Sequence, residues 1–291
     1  MRIGWIGTGV MGSSMAGHLQ GANHELFVYN RTREKSEGLL KRGAHWCDSP
    51  AEIAGNSQIV FTMVGLPSDV EEVYMGGRGI LKADGPCEIV VDMTTSKPSL
   101  AQTIAEESAK KGIHSLDAPV SGGDVGAKEG TLAIMVGGEK ETFEKVLPLF
   151  QLMGKTISYM GGPGTGQHTK MCNQILVAGN MIGVVESLLY AHKLGLDQQS
   201  VIDIIGKGAA SSWLINNVGP RIVNRNYEPG FYVEHFIKDM GIALEEAAAV
   251  SLSLPGLALV QQLYIAVKAQ GHGRSGTQAL FLALKTLNGD L

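Results

Sequence analysis

Short apolar runs alternate with amphipathic stretches through the first half of the chain. Runs rich in β-formers cover 3–6, 26–29, 59–64, 88–92, 114–118, 132–136 and 156–160. Between several of them apolar residues return at helical spacing, as over 99–111 and 141–153. Strands with little polar interruption, separated by helices, predict a parallel doubly wound sheet covered on both faces. Ligands of such sheets bind beyond the carboxyl ends of the strands, so 63–67, 92–96 and 117–123 become candidate site segments.

At Gly161-Gly162-Pro163-Gly164-Thr165-Gly166 the pattern changes. Strand signals nearly vanish and helical periodicity takes over, with helices predicted at 167–194, 198–206, 213–223, 235–251, 257–270 and 277–287. The first of these holds no proline and reads as one long helix leaving the sheet. On pattern the chain divides into an α/β domain over 1–163 and an all-helical domain over 164–291, which opens with a linking helix over 164–194.

The first apolar run leads directly into Gly7-Thr8-Gly9-Val10-Met11-Gly12, and eighteen positions after Gly12 the second run ends in Asn30-Arg31-Thr32. Strand, glycine turn, helix and second strand with a polar reader make the Rossmann-type dinucleotide-binding arrangement. The first glycine permits a tight turn, the second lets backbone N–H groups approach a pyrophosphate, and the third allows close packing of helix on strand. The helix N-terminus adds its positive dipole.

NAD-selective sites end the second strand in Asp or Glu, whose carboxylate accepts from the ribose and repels a 2′-phosphate. Here the position is Asn30, and Arg31 offers a forked guanidinium to a phosphate. Thr32 adds a hydroxyl and Arg33 a second cation. Unless these arginines are merely solvated loop charges, NADP is the expected cofactor, with NAD as the second choice.

Three further segments hold candidate chemistry. Lys170 and Asn173, three apart on the long helix, share a face. A lysine there can exchange a proton with an oxygen while hydride moves at the adjacent carbon, and an asparagine can fix that oxygen. Asp117-Ala118-Pro119-Val120-Ser121-Gly122-Gly123 ends a strand in a polar loop. Its Ser121 hydroxyl and the unhindered N–H groups of Gly122 and Gly123 suit a carboxylate, though Asp117 capping a plain glycine turn is the structural alternative. Lys238-Asp239, on a later helix, supplies either a second cation or a surface charge couple of little energetic worth.

Composition adds mostly exclusions. A chain of 291 residues, 44% hydrophobic and 18% charged, is an ordinary globular composition. A net charge of −4 gives no electrostatic case for nucleic acid or an anionic membrane. No apolar run of membrane-span length is evident, and no signal pattern precedes the first strand. Cys47, Cys87 and Cys172 form neither an even framework nor a metal-ligand spacing, so no metal is expected and a reducing cytoplasm is the expected compartment. Cys172 reads as a small buried hydrophobe, and His168 as a packed or surface histidine.

Taken in order, Gly7-x-Gly9-x-x-Gly12, Asp117-x-Pro119-Val120-Ser121-Gly122-Gly123, Gly126-Ala127-x-x-Gly130-Thr131-Leu132, Gly164-x-Gly166-x-x-x-Lys170-x-x-Asn173 and Lys238-Asp239 resemble the β-hydroxyacid dehydrogenase family over the whole chain. That family includes 3-hydroxyisobutyrate dehydrogenases and semialdehyde reductases. The resemblance implies that Lys170 is the catalytic acid and base, that Ser121, Gly122 and Gly123 bind the substrate carboxylate, and that Asn173 orients the substrate. It implies that Thr95 lies on the nicotinamide side of the cofactor, that Lys238 lies near the nicotinamide end, and that the Met63-Val64 loop lies under the adenosine ribose and pyrophosphate. It also implies a homodimer or homotetramer acting on a small carboxylate-bearing substrate. Asn30-Arg31-Thr32 departs from the acidic reader of the NAD-using members. The aromatics Trp213, Phe231 and Tyr232 are read as helix-packing core, with closure of the pocket as the alternative. A decarboxylase of the 6-phosphogluconate type would need a larger helical domain. A regulatory cofactor-binding protein would not need Lys170 and Asn173.

Overall fold

The structure, a computed structural model, describes residues 1–289. Two compact units are present, Met1–Lys170 and the chain from Met171 onward.

The first unit holds nine strands: β1 (Arg2–Ile6), β2 (Glu25–Tyr29), β3 (His45–Trp46), β4 (Ile59–Thr62), β5 (Ile89–Asp92), β6 (His114–Asp117), β7 (Val120–Ser121), β8 (Leu132–Gly138) and β9 (Gly154–Gly161). Their order is β3-β2-β1-β4-β5-β6-β8-β7, with β9 on β8. Helices α1 (Val10–Gly21), α2 (Glu37–Leu40), α3 (Pro50–Asn56), α4 (Pro67–Met75), α5 (Pro98–Ala109), α6 (Gly123–Glu129) and α7 (Lys140–Phe150) connect them. Every pairing from β3 across to β6 is parallel. The sheet is parallel-dominated as expected, with one departure: β8 runs antiparallel to β6 and β7.

Strand alternation explains why the middle strands read as continuous apolar runs. Successive side chains point to opposite faces. Ile3, Trp5, Phe61, Ile89 and Val91 enter one core layer, where Trp5 stacks on Phe61 with centroids 5.6 Å apart. Ile6, Val60 and Val90 enter the other. Both faces are covered, so polar positions appear only where the strands end.

α8 (Thr165–Lys193) begins in the first unit and runs into the second. There α9 (Gln198–Ile205), α10 (Trp213–Asn217), α11 (Gly219–Val223), α12 (Val233–Ala249), α13 (Pro255–Val267) and α14 (Leu280–Leu287) complete an all-helical arrangement. The helix expected over 213–223 is broken in two: Pro220 has no N–H to continue the ladder and instead starts α11. One correction concerns membranes. By length and composition α8 is apolar enough to cross one. Its Met181, Val185 and Leu188 are fully buried in the helical core with Phe236 and Tyr264, whose rings meet edge-on at 5.1 Å. Burial of that kind is how a core helix comes to carry so apolar a sequence.

Candidate active site

The site begins with a line of strand ends. Ile6 lies in register with Tyr29 and Thr62, Thr62 with Asp92, and Asp92 with Asp117. The segments carrying Gly7, Asn30, Met63, Thr95 and Ala118 therefore leave these strands along the same edge, where doubly wound sheets bind ligands.

The glycine turn separates what the chain needs from what a ligand needs. A Cβ on Gly12 would strike the Gly7 carbonyl, and Gly7 holds φ at +94°, so both are demanded by the protein itself. Around Gly9 a Cβ would meet nothing within 4 Å. Its openness satisfies no packing requirement and leaves the approach to the start of α1 clear. No side chain caps that helix, so its first N–H groups remain for an anion. Val10 is 67% exposed and Met11 half-buried beside them. These features fit a dinucleotide pyrophosphate.

Asn30 is held from both ends of its amide. Its Oδ1 accepts from Thr8 N at 3.1 Å and its Nδ2 donates to the Thr32 carbonyl at 2.8 Å, bracing the glycine turn against the loop after β2. Arg31 reaches into solvent and pairs with Asp69 of α4 at 3.3 Å. Arg33 lies over the Trp46 ring at 5.0 Å instead of beside Arg31. Arg31, Thr32 and Arg33 are all exposed.

Below Met63 and Thr95 lies a buried polar chain. Thr62 Oγ1 donates to Asp92 Oδ1 at 2.8 Å, Thr94 N donates to the same oxygen at 3.0 Å, and Val64 N donates to Thr94 Oγ1 at 3.0 Å. Burial pushes the Asp92 carboxyl up to about 6, against the downward pull of its Thr94 and Thr62 hydrogen bonds. Asp117 does more than cap a turn: its two oxygens accept from Gly164 N and Gln167 N, both at 2.8 Å, and so seat the first turn of α8 on the end of β6. Burial raises the pKa of Asp117 also, with those two N–H bonds opposing. One turn on, Lys170 is only 6% exposed. Ser121 is half-buried at the end of β7, and Gly122 and Gly123 follow with φ of +134° and +64°.

Asn173 and Lys238 belong to the helical unit, where a second network ties them. Asn173 Nδ2 donates to Gln174 Oε1 at 2.7 Å, and Gln174 Nε2 donates to Asp239 Oδ2 at 2.6 Å. The other Asp239 oxygen forms an ion pair with Lys238 Nζ at 2.9 Å, outside aligned hydrogen-bond geometry. Asp239 is 1% exposed, so the surface-couple reading of this pair does not hold. Trp213 is 69% exposed and Phe231 37%, which corrects their assignment to packing core. Cys172 is exposed, not buried. Sequence reasoning missed Gln167 and Gln174, since a glutamine carries neither charge nor motif of its own.

Residues 2–161 match the family described as the NAD binding domain of 6-phosphogluconate dehydrogenase, and residues 164–284 the family described as NAD-binding of NADP-dependent 3-hydroxyisobutyrate dehydrogenase. The Arabidopsis thaliana protein named probable 3-hydroxyisobutyrate dehydrogenase-like 1, mitochondrial, is 52% identical, over 99% of this chain and 86% of its own. The 2-hydroxy-3-oxopropionate reductase of Escherichia coli is 40% identical over 99% and 98%. Among solved structures, the Mycobacterium tuberculosis 3-hydroxyisobutyrate dehydrogenase with L-serine superposes with a TM-score of 0.89 at 29% identity, covering 98% of this chain and 99% of that one. Matched in both parts and along its whole length, the chain belongs to the β-hydroxyacid dehydrogenase family, which includes the 3-hydroxyisobutyrate dehydrogenases.

Proposed function

We propose that this NAD(P)-dependent oxidoreductase of CH–OH groups interconverts a small β-hydroxyacid and its semialdehyde, with NADP preferred and Lys170 as general acid and base. The observation that carries the reading is the placement of Lys170. It is a buried amine one helical turn from the point where Asp117 seats α8 on the row of strand ends.

Bound across the glycine turn, a nicotinamide dinucleotide supplies or takes the hydride. The N–H groups at the start of α1 hold its pyrophosphate, Arg31 meets the 2′-phosphate, and Thr95 borders the nicotinamide side. Ser121 and the N–H groups of Gly122 and Gly123 receive the substrate carboxylate. Asn173 orients the reacting oxygen, and Lys238 adds positive charge at the nicotinamide end. In reduction Lys170 gives its proton to the forming alkoxide, and in oxidation it takes that proton back. General acid–base help of this kind is worth about 10²- to 10⁴-fold in rate. A self-associated chain, dimer or tetramer, completes the reading.

The test is the initial rate of NADPH oxidation, against NADH, with small aldehyde acids such as 2-hydroxy-3-oxopropionate, succinic semialdehyde and glyoxylate. Turnover several-fold faster with NADPH is expected. Equal or faster rates with NADH contradict the cofactor assignment, and absence of turnover across the set contradicts the substrate class.

A further inference from the structure

We propose that Gln167 is a positioning residue, whose side-chain amide locks the loop after β5 to the first turn of α8 and so fixes Lys170 relative to Thr95. The inference rests on the reading of Lys170 as acid and base given above.

Gln167 is fully buried, and both ends of its amide are engaged with main chain far away in sequence. Oε1 accepts from Ser96 N at 2.9 Å, and Nε2 donates to the Thr94 carbonyl at 2.7 Å. Thr95 lies between the two bonded residues. The pair of bonds is directional at both ends, so the amide holds the loop in one place, as a single contact would not.

Other bonds hold each side separately. Val64 N and Asp92 Oδ1 fix Thr94 from the sheet. Ser96 is gripped through its main chain, for its own hydroxyl is buried without a hydrogen bond. On the α8 side, Asp117 takes the N–H groups of Gly164 and Gln167. A Cβ on Gly166 would strike the carbonyls of Met135 and Asp117, so this turn lies directly against the sheet. Gln167 joins the two sides. Lys170 follows three residues later, on the adjoining turn of the same helix face. Displacement of reacting groups by about 1 Å can cost about 10²-fold in rate. A short, buried, two-ended link is suited to preventing it.

Gln167→Met keeps the side chain's length and removes both bonds, while Gln167→Glu keeps the acceptor for Ser96 N and loses the donor to Thr94. Both would be assayed beside the parent and Lys170→Ala with NADPH and 2-hydroxy-3-oxopropionate, together with NADPH binding by fluorescence titration. The expected result is a kcat loss of about tenfold to hundredfold in Gln167→Met, with KM and the NADPH Kd within about twofold, and a smaller loss in Gln167→Glu. In the Lys170→Ala background the same change should cost little, because the residues act as a unit. A kcat within about twofold of the parent, a loss carried by KM or Kd, or an equal further loss in the Lys170→Ala background overturns the proposal. Should Gln167→Met not fold, Gln167→Glu decides by the same criteria. Failure of the Lys170 reading shows separately, as full activity in Lys170→Ala alone.

Discussion

Arg31 and Asp69 form the exposed pair on which the proposed NADP preference rests. The guanidinium is 87% exposed and its partner carboxylate 28%, so their bond is a weak surface pair that a phosphate can displace. Arg31→Ala should weaken NADPH binding by about tenfold or more and leave NADH nearly unchanged, since only the former carries the phosphate. Asp69→Asn removes a repelling charge and should tighten NADPH alone. Parallel fluorescence titrations check both, and equal shifts for the two cofactors would rule the assignment out. Asp92 makes a prediction of opposite character. Its folded pKa, about 6, lies above the ordinary aspartate value of 3.8, so the folded state holds the proton more tightly than the unfolded one. The stability it contributes is full below the unfolded value and is lost as pH rises through about 6. Asp92→Asn should remove that slope, gaining roughly 2–3 kcal/mol relative to the parent between pH 4 and 7. Denaturant midpoints across that range measure it, and an unchanged slope would contradict the burial argument. Lys170, Ser121 and the glycines stood out in the sequence as candidates because charge, hydroxyl and missing side chain are visible in one dimension. The true bonds of Asn30 and the bracing of Gln167 and Gln174 were not, since each depends on partners brought close only by folding, up to 73 positions away.

At the scale of elements, α1 separates packing from binding. Gly12→Ala drives a methyl into the Gly7 carbonyl and should cost about 1–3 kcal/mol of stability. Gly9→Val meets open space in the protein, so its melting temperature should hold while NADPH binding weakens. Thermal melts with and without cofactor distinguish the two, and a shared stability loss would remove the claim that Gly9 is kept open for a ligand. The parallel strands β1, β4 and β5 were legible because both faces are buried and the apolar runs are nearly unbroken. β3 and β7, two residues each, are too short to show a period. The reversed direction of β8 left no trace in local pattern, because an apolar strand reads alike in either orientation. The break between α10 and α11 was announced by Gly219-Pro220, yet the apolar spacing on either side concealed it.

The whole chain combines a dinucleotide-binding sheet with an all-helical unit whose surface is unusually apolar in places. Leu176, Tyr190, Leu252 and Leu259 are each more than half exposed. The proposed self-association would give exposed apolar side chains a partner to cover them, and sedimentation equilibrium should then give a multiple of the 30.9 kDa chain mass. A monomer at micromolar concentration would contradict that expectation. The catalytic assignment makes a sharper demand, because it separates chemistry from binding at one residue. The most direct measurement is kcat and NADPH Kd for Lys170→Ala beside the parent. A fall in kcat of about 10²- to 10⁴-fold, with Kd within about threefold, is predicted. Retained turnover, or loss of NADPH binding in its place, would contradict Lys170 as the proton carrier.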